Sequence, residues 1–154
     1  MSSRTAGPVV ETDGDEDVSA AIAALGPEET RGLVFAATAE PTCWAEAEDR
    51  LVVAFERTKE AAESSLPVVY LVREEDLGGT RGPLAAAIAG ALLSFARALA
   101  MERAGHGQVA NVVSFGPATD PGRIAATLRF LLDPAAPTGG LIDLGANHFG
   151  RSRA

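Results

Sequence analysis

The chain has 154 residues, 47% of them hydrophobic, with a formal net charge of -8 and a single lysine, Lys59, beside its arginines. That length suits one domain with a sizeable core, and the composition excludes a disordered chain. The acidity argues against nucleic acid, whose phosphates repel such a surface. Cys43 is the only cysteine, so an internal disulfide is excluded and a reducing compartment is expected. The opening residues, MSSRTAGP, show no apolar signal segment, and the cytoplasm is the expected location.

In chain order, Pro8 to Thr12 reads as a short strand ended by the acidic turn Asp13-Gly14-Asp15-Glu16. Asp15 or Asp17 can cap a helix through Leu25, with Val18, Ile22 and Leu25 turned inward. Leu33 to Ala37 is an unbroken apolar run of the kind found in buried parallel strands. A long helix is expected from about Cys43 to Ser64, with Trp44, Leu51, Val52, Phe55 and Thr58 on its inner face. Leu66 to Val72 is the clearest strand. The polar, Gly-rich stretch Arg73 to Gly82 reads as a turn leading to a second long helix, Pro83 to Gly105.

That second helix carries no charge between Arg81 and Arg97. Leu84, Ile88, Leu92, Phe95 and Leu99 recur at helical spacing, and the opposite face is small and apolar: Ala85, Ala86, Ala89, Leu93, Ala96 and Ala100. A helix apolar all round is covered on both sides. Pro83 suits its first turn and Gly105 the position beyond its last. The run reads as too short and too Ala-rich to span a membrane. It is expected to press on a sheet with one face and on a partner chain with the other. A strand over Gln108 to Ser114, a helix over Pro121 to Leu132 with Ile124, Leu128, Leu131 and Leu132 inward, and a last strand over Leu141 to Leu144 complete the chain. The expected fold is a single α/β domain over 1–154, with 1–7 and 146–154 as flexible tails. It is a truncated, Rossmann-like three-layer fold with about five mostly parallel strands and flanking helices.

Candidate reactive groups are few. Cys43 sits at a helix start, where the dipole favours a thiolate, but no base partner is identifiable and an ordinary thiol is the expectation. His106 reads as a charge near a helix end. His148 lies near Asp143 and Asn147 and reads as a surface residue. Two His and one Cys without ligand spacing exclude a dedicated zinc site. The turn Gly78-Gly79-Thr80-Arg81-Gly82 has the makings of an anion loop at a helix start, although a plain loop is favoured.

The order of segments from about Pro8 to Gly150 resembles the short-chain dehydrogenase/reductase family. Val10-Glu11-Thr12-Asp13 and the helix after it resemble the family's third strand, its Asp and the following helix. Gly32 to Ala39 sits where the family has a strand ending in Asn-Asn-Ala-Gly. Ala98 to Glu102 and Asn111 to Gly116 resemble its central helix and the strand end Val-Asn-x-x-x-Pro-Gly. Thr138-Gly139-Gly140-Leu141-Ile142-Asp143 resembles the last short strand, which follows Thr-Gly. The resemblance implies that the first two strand-helix units, with their Gly-rich nucleotide turn, are missing, and no G-x-G-x-x-G follows a strand. The family's Tyr and Lys, four apart on the central helix, fall on Ala85 and Ala89. Tyr70 and Lys59 are the only residues of their types.

Hydride transfer needs a proton donor beside a positioned cofactor. The expectation is therefore a non-catalytic subunit that pairs with a full-length, active relative. No cofactor is expected on this chain alone, and NAD(P) would be held by the partner. The resemblance implies an interface built from the helices at 43–64 and 84–103, through Trp44, Leu51, Phe55, Leu84, Ala85, Ile88, Ala89, Leu92, Phe95, Ala96 and Leu99. Two alternatives stand beside it. One is a cofactor-independent cyclase, isomerase or dehydratase using Arg73, Glu74, Glu75, Thr119 and His148 in the old substrate pocket. The other is a homo-oligomeric module for a small ligand. Without the two missing strands, the strand at Pro8 is expected to pair directly with the strand at Leu33. The Arg and Ala usage suggests a GC-rich, bacterial source.

Overall fold

A computed structural model describes residues 9–26 and 31–146. In chain order its elements are β1 (Val9–Glu11), α1 (Glu16–Leu25), β2 (Leu33–Ala37), α2 (Trp44–Glu63), β3 (Val68–Arg73), α3 (Glu74–Leu77), α4 (Pro83–Glu102), a 3-10 turn (Ala104–His106), β4 (Ala110–Phe115), α5 (Pro121–Leu131) and β5 (Leu141–Asp143). The five strands form one sheet in the order β1-β2-β3-β4-β5. Every neighbouring pair is parallel, and the expected direct pairing is present, with Val9 opposite Leu33 and Val10 opposite Val34. All residues of β2 and β4 are buried, as a parallel sheet covered on both faces requires.

Alternation along the strands sorts the core into two layers. Val34, Ala36, Val69, Leu71, Val113 and Phe115 meet Val18, Ala21 and Leu25 of α1 and Ile124 and Leu128 of α5. Leu33, Phe35, Val68, Tyr70, Val72 and Val112 meet Ala47, Ala54 and Ala61 of α2 and Ile88, Ala89, Leu92 and Ala96 of α4. Each connection steps the same way across the sheet, yet α1 and α5 cover one face and α2 and α4 the other. The β1-α1-β2 and β4-α5-β5 crossovers therefore have the opposite hand to the two between them, a departure from the nearly uniform hand of such units.

Several expected faces are corrected. Trp44, Val52 and Phe55 do not turn inward; they are 64%, 55% and 59% exposed, and the inner face of α2 is Ala47, Ala54, Thr58 and Ala61. Small side chains let α2 sit close to the sheet, so the bulky ones are left outside. On α4 the two expected faces merge. Ala85, Ile88, Ala89, Leu92, Ala96 and Ala100 are all buried against the chain's own sheet, while Leu84, Phe95 and Leu99 are half-buried on the flank. The helix is long and apolar enough, by length and composition, to cross a membrane, contrary to the expectation, but its buried flank here faces protein. It ends at Glu102 rather than Gly105, and the left-handed residue that closes the following turn is Gly107. Arg73 to Gly82 is not all turn, because Glu74–Leu77 forms one helical turn.

Candidate functional site

In an open parallel sheet, a crevice forms at the carboxyl ends where neighbouring strands send their connections to opposite faces. This topology makes two such places. β1 leads to one face and β2 to the other; β3 and β4 diverge likewise. The chain fills both with its own carboxylates.

Asp13, at the end of β1, fills the first. One of its oxygens accepts the Thr38 and Ala39 backbone N–H groups, both at 2.6 Å, and the other accepts the Thr38 hydroxyl at 2.7 Å. The Arg50 guanidinium adds a bond at 3.2 Å and also donates to the Ala39 carbonyl at 2.8 Å. Glu74, at the end of β3, fills the second. It is buried, and its carboxylate lies so close to Gly116 and Gly145 that a Cβ on either glycine would overlap it.

Between the two plugs lies an open polar cleft of about 340 Å³, lined by Asp15, Asp17, Thr38, Arg73, Glu75, Arg81 and Pro117. Its cations are committed inward. Arg73 is ion-paired with Asp15 and, at 3.3 Å, with Asp17, and its guanidinium lies 4.5 Å from the centre of the Phe115 ring. Asp15 also caps α1, accepting the amides of Asp17 and Val18 at 3.0 and 3.2 Å. Burial works to raise the Asp15 carboxyl, but the Val18 amide and Arg73 outweigh it and hold the group below its ordinary value. An internal carboxylate thus occupies the helix N-terminus where an external anion would bind. Arg81 donates to the Thr38 carbonyl at 3.0 Å and pairs with Asp76 at 3.4 Å. Burial pushes Asp76 up to about 6, against the attraction of Arg81 and with help from Glu75 and Glu40.

Of the described residues expected to line a pocket, Arg73 and Glu75 line this cleft and Glu74 and Thr119 do not. Thr119 is buried and structural: its hydroxyl accepts the Gly116 amide at 3.0 Å and donates to the Leu144 carbonyl at 3.3 Å. Glu74 lies beneath the cleft rather than in it. His148 and Asn147 lie outside the described residues. Cys43 is exposed at the start of α2, makes no side-chain cap, and has Thr42 and Glu46 hydrogen-bonded beside it. His106 is exposed on the 3-10 turn. Among the described residues no group of three or more His, Cys, Asp or Glu could hold a metal ion. Asp13, Asp15, Asp17 and Asp76 were not foreseen as a cluster. The acidic run at 13–17 was the available signal, and it reads locally as no more than a turn and a cap.

A second cleft of about 420 Å³ runs between β1 and α2, with Glu11, Asp13, Glu46, Asp49 and Arg50 around a floor that includes Phe35 and Val53. Arg50 and Arg57 of α2 strap it to β1 through Asp13 and Glu11, at 3.2 and 2.7 Å. The other conspicuous surface is apolar. Trp44, Val52 and Phe55 fall within about a quarter of the helix circumference at 3.6 residues per turn, and Phe55 meets Phe95 of α4 edge-to-face at 6.4 Å. Met101, 81% exposed, is a separate apolar side chain near the end of α4. No protein-family model matches the chain, and no curated protein matches it.

Proposed function

We propose that this chain is a non-catalytic subunit, related to the short-chain dehydrogenase/reductases, that docks on a full-length active relative through the exposed flank of α2 and α4. The observation that carries the reading is that flank: Trp44, Val52 and Phe55 are each more than half exposed on one side of α2. Large apolar side chains left exposed on one side of a helix mark a contact site, with Glu48 and Lys59 supplying charge on the same stripe. Ala85, Ile88, Ala89, Leu92 and Ala96 support the flank from within the core, so the partner would touch Trp44, Leu51, Phe55, Leu84, Phe95 and Leu99.

The carboxyl edge of the sheet fits the same reading. The positions matched to the family's Tyr and Lys are buried alanines, Ala85 and Ala89. The helix N-terminus is taken by Asp15, and the arginines that could hold an anion are paired with the chain's own carboxylates. A cofactor-independent enzyme would need convergent polar groups in an enclosed pocket, and the polar cleft is open. The NAD(P), in this proposal, belongs to the partner.

Co-expression with full-length dehydrogenase/reductases of the same organism that carry Tyr-x-x-x-Lys, followed by native mass measurement, tests the proposal. The expected product is a hetero-oligomer, lost in the Val52→Glu, Phe55→Glu double variant. A monomer, or self-association alone, overturns it.

A further inference from the structure

The segment from Glu75 to Gly82 lines one side of the polar cleft through Glu75 and Arg81 and leads into α4, and it is weakly built. Its helical part, α3, has four residues. Gly79 and Gly82 hold φ of 72° and 103°, in the left-handed region that other residues avoid. At its centre Asp76 is 2% exposed, and one of its carboxylate oxygens is buried without any hydrogen-bond partner. One oxygen of Glu75 is in the same condition. A buried carboxylate with an unmet acceptor carries the desolvation cost of its charge without full compensation.

The charges around Asp76 do not correct this. Among the described residues Arg81, on the same segment, is its one ion-pair partner, at 3.4 Å, and shares itself with the Thr38 carbonyl. Glu75 beside it and Glu40 after β2 are like charges that oppose ionisation. Arg73, from β3, is already paired with Asp15 and Asp17 of α1. α4 and β4 also pack on α3, and they bring no charge: none occurs between Arg81 and Arg97, and β4 reads Ala-Asn-Val-Val-Ser-Phe.

We propose that the segment Glu75 to Gly82 is a pH-gated flap at the rim of the cleft, seated when Asp76 is protonated and lifting away when Asp76 ionises. The sign follows from linkage. The closed state holds the proton more tightly than an open state in which the carboxyl meets water, so acid closes the flap and rising pH opens it. The upward displacement of Asp76 towards about 6 places the change near that pH. Opening widens the cleft lined by Glu75 and Arg81 and frees the first turn of α4. The flap operates whether or not α4 docks on another chain.

Hydrogen exchange on the full chain, corrected for the intrinsic pH dependence of exchange, reads it directly. The amides of Gly78, Gly79 and Thr80, bonded to the carbonyls of Glu74, Asp76 and Glu75, are the probes. Their protection is expected to fall about tenfold between pH 5 and 7.5, the size of one hydrogen bond to a charged group, while amides of β3 and β4 stay unchanged. D76N is expected to remain protected at both pH values. R81Q, which removes the larger of the two attractions favouring the ionised form, those of Arg81 and Arg73, is expected to lower protection further at pH 7.5. A wild-type chain with no step in this range, or a step that survives in D76N, overturns the proposal. Should D76N fail to fold, R81Q with protection equal to wild type at pH 7.5 overturns it instead.

Discussion

Replacing Asp13 tests whether the plug between β1 and β2 is structural. Its carboxylate, with side-chain exposure of 11%, accepts two backbone amides, one hydroxyl and one guanidinium. Alanine would strand the Thr38 and Ala39 amides and loosen Arg50. Each buried donor left unmet costs roughly 1–3 kcal/mol, and bonds to a charged acceptor lie at the upper end. Partial access to water brings the sum for Asp13→Ala to about 3–4 kcal/mol, a large share of the ~5–15 kcal/mol that holds a domain together. Asp13→Asn keeps one acceptor oxygen and loses the charge, so about half that loss is expected. Urea unfolding followed by circular dichroism measures both. With a slope of about 2 kcal/mol per molar, the midpoint should fall by roughly 1.5–2 M for alanine and about half that for asparagine. Changes below ~0.5 kcal/mol in both variants would refute the plug and leave Asp13 to be explained by ligand binding.

Gly145→Ala should destabilise by about 1–3 kcal/mol through overpacking against Glu74; the same change in a Glu74→Ala background should cost much less, as chemical denaturation of the pair would show. Because the folded-state value for Asp76 is about 6 against an ordinary 3.8, the folded chain binds the extra proton, and stability should decline by roughly 2 kcal/mol as pH rises from 4 to 7. Asp76→Asn should remove that slope in thermal melts across this range. Asp15 acts in the other sense: held below its ordinary value, it contributes stability above about pH 4 that is lost only in stronger acid. Tyr70→Phe breaks the buried 2.6 Å bond to the Thr58 hydroxyl and should cost about 1–2 kcal/mol in urea unfolding, with no change in the far-ultraviolet circular dichroism of the folded state.

The strands were legible because burial on both faces leaves an unmistakable trace. Leu33 to Ala37 and Val68 to Val72 contain no polar side chain but the Tyr70 hydroxyl, and the absence of intervening strands predicted that β1 and β2 would pair. The helix faces misled because size is a poor guide to burial where alanine is abundant. Ala47, Ala54 and Ala61 face the sheet, and Trp44, Val52 and Phe55 do not. A four-residue helix such as α3 is too short for periodicity to register. The site itself depends on residues distant in sequence. Asp13 meets Thr38 across 25 positions, and Arg73 meets Asp15 across 58, and no local pattern announces such partnerships.

The layer formed by α1 and α5 joins the two extremities of the chain. These helices are among the most heavily contacting pairs in the molecule, and Arg129 of α5 donates to the Ala24 carbonyl at a separation of 105 residues. Closing so wide a loop carries an entropic penalty on the order of 4 kcal/mol, and contacts so far apart slow folding. The central run from β2 to β4, whose neighbours in space are neighbours in sequence, is therefore free to assemble early, with the two terminal units clasping over it last. Cutting the chain between Asp13 and Asp15 would undo that clasp and expose the buried side of α5 while β2, β3 and β4 remained paired.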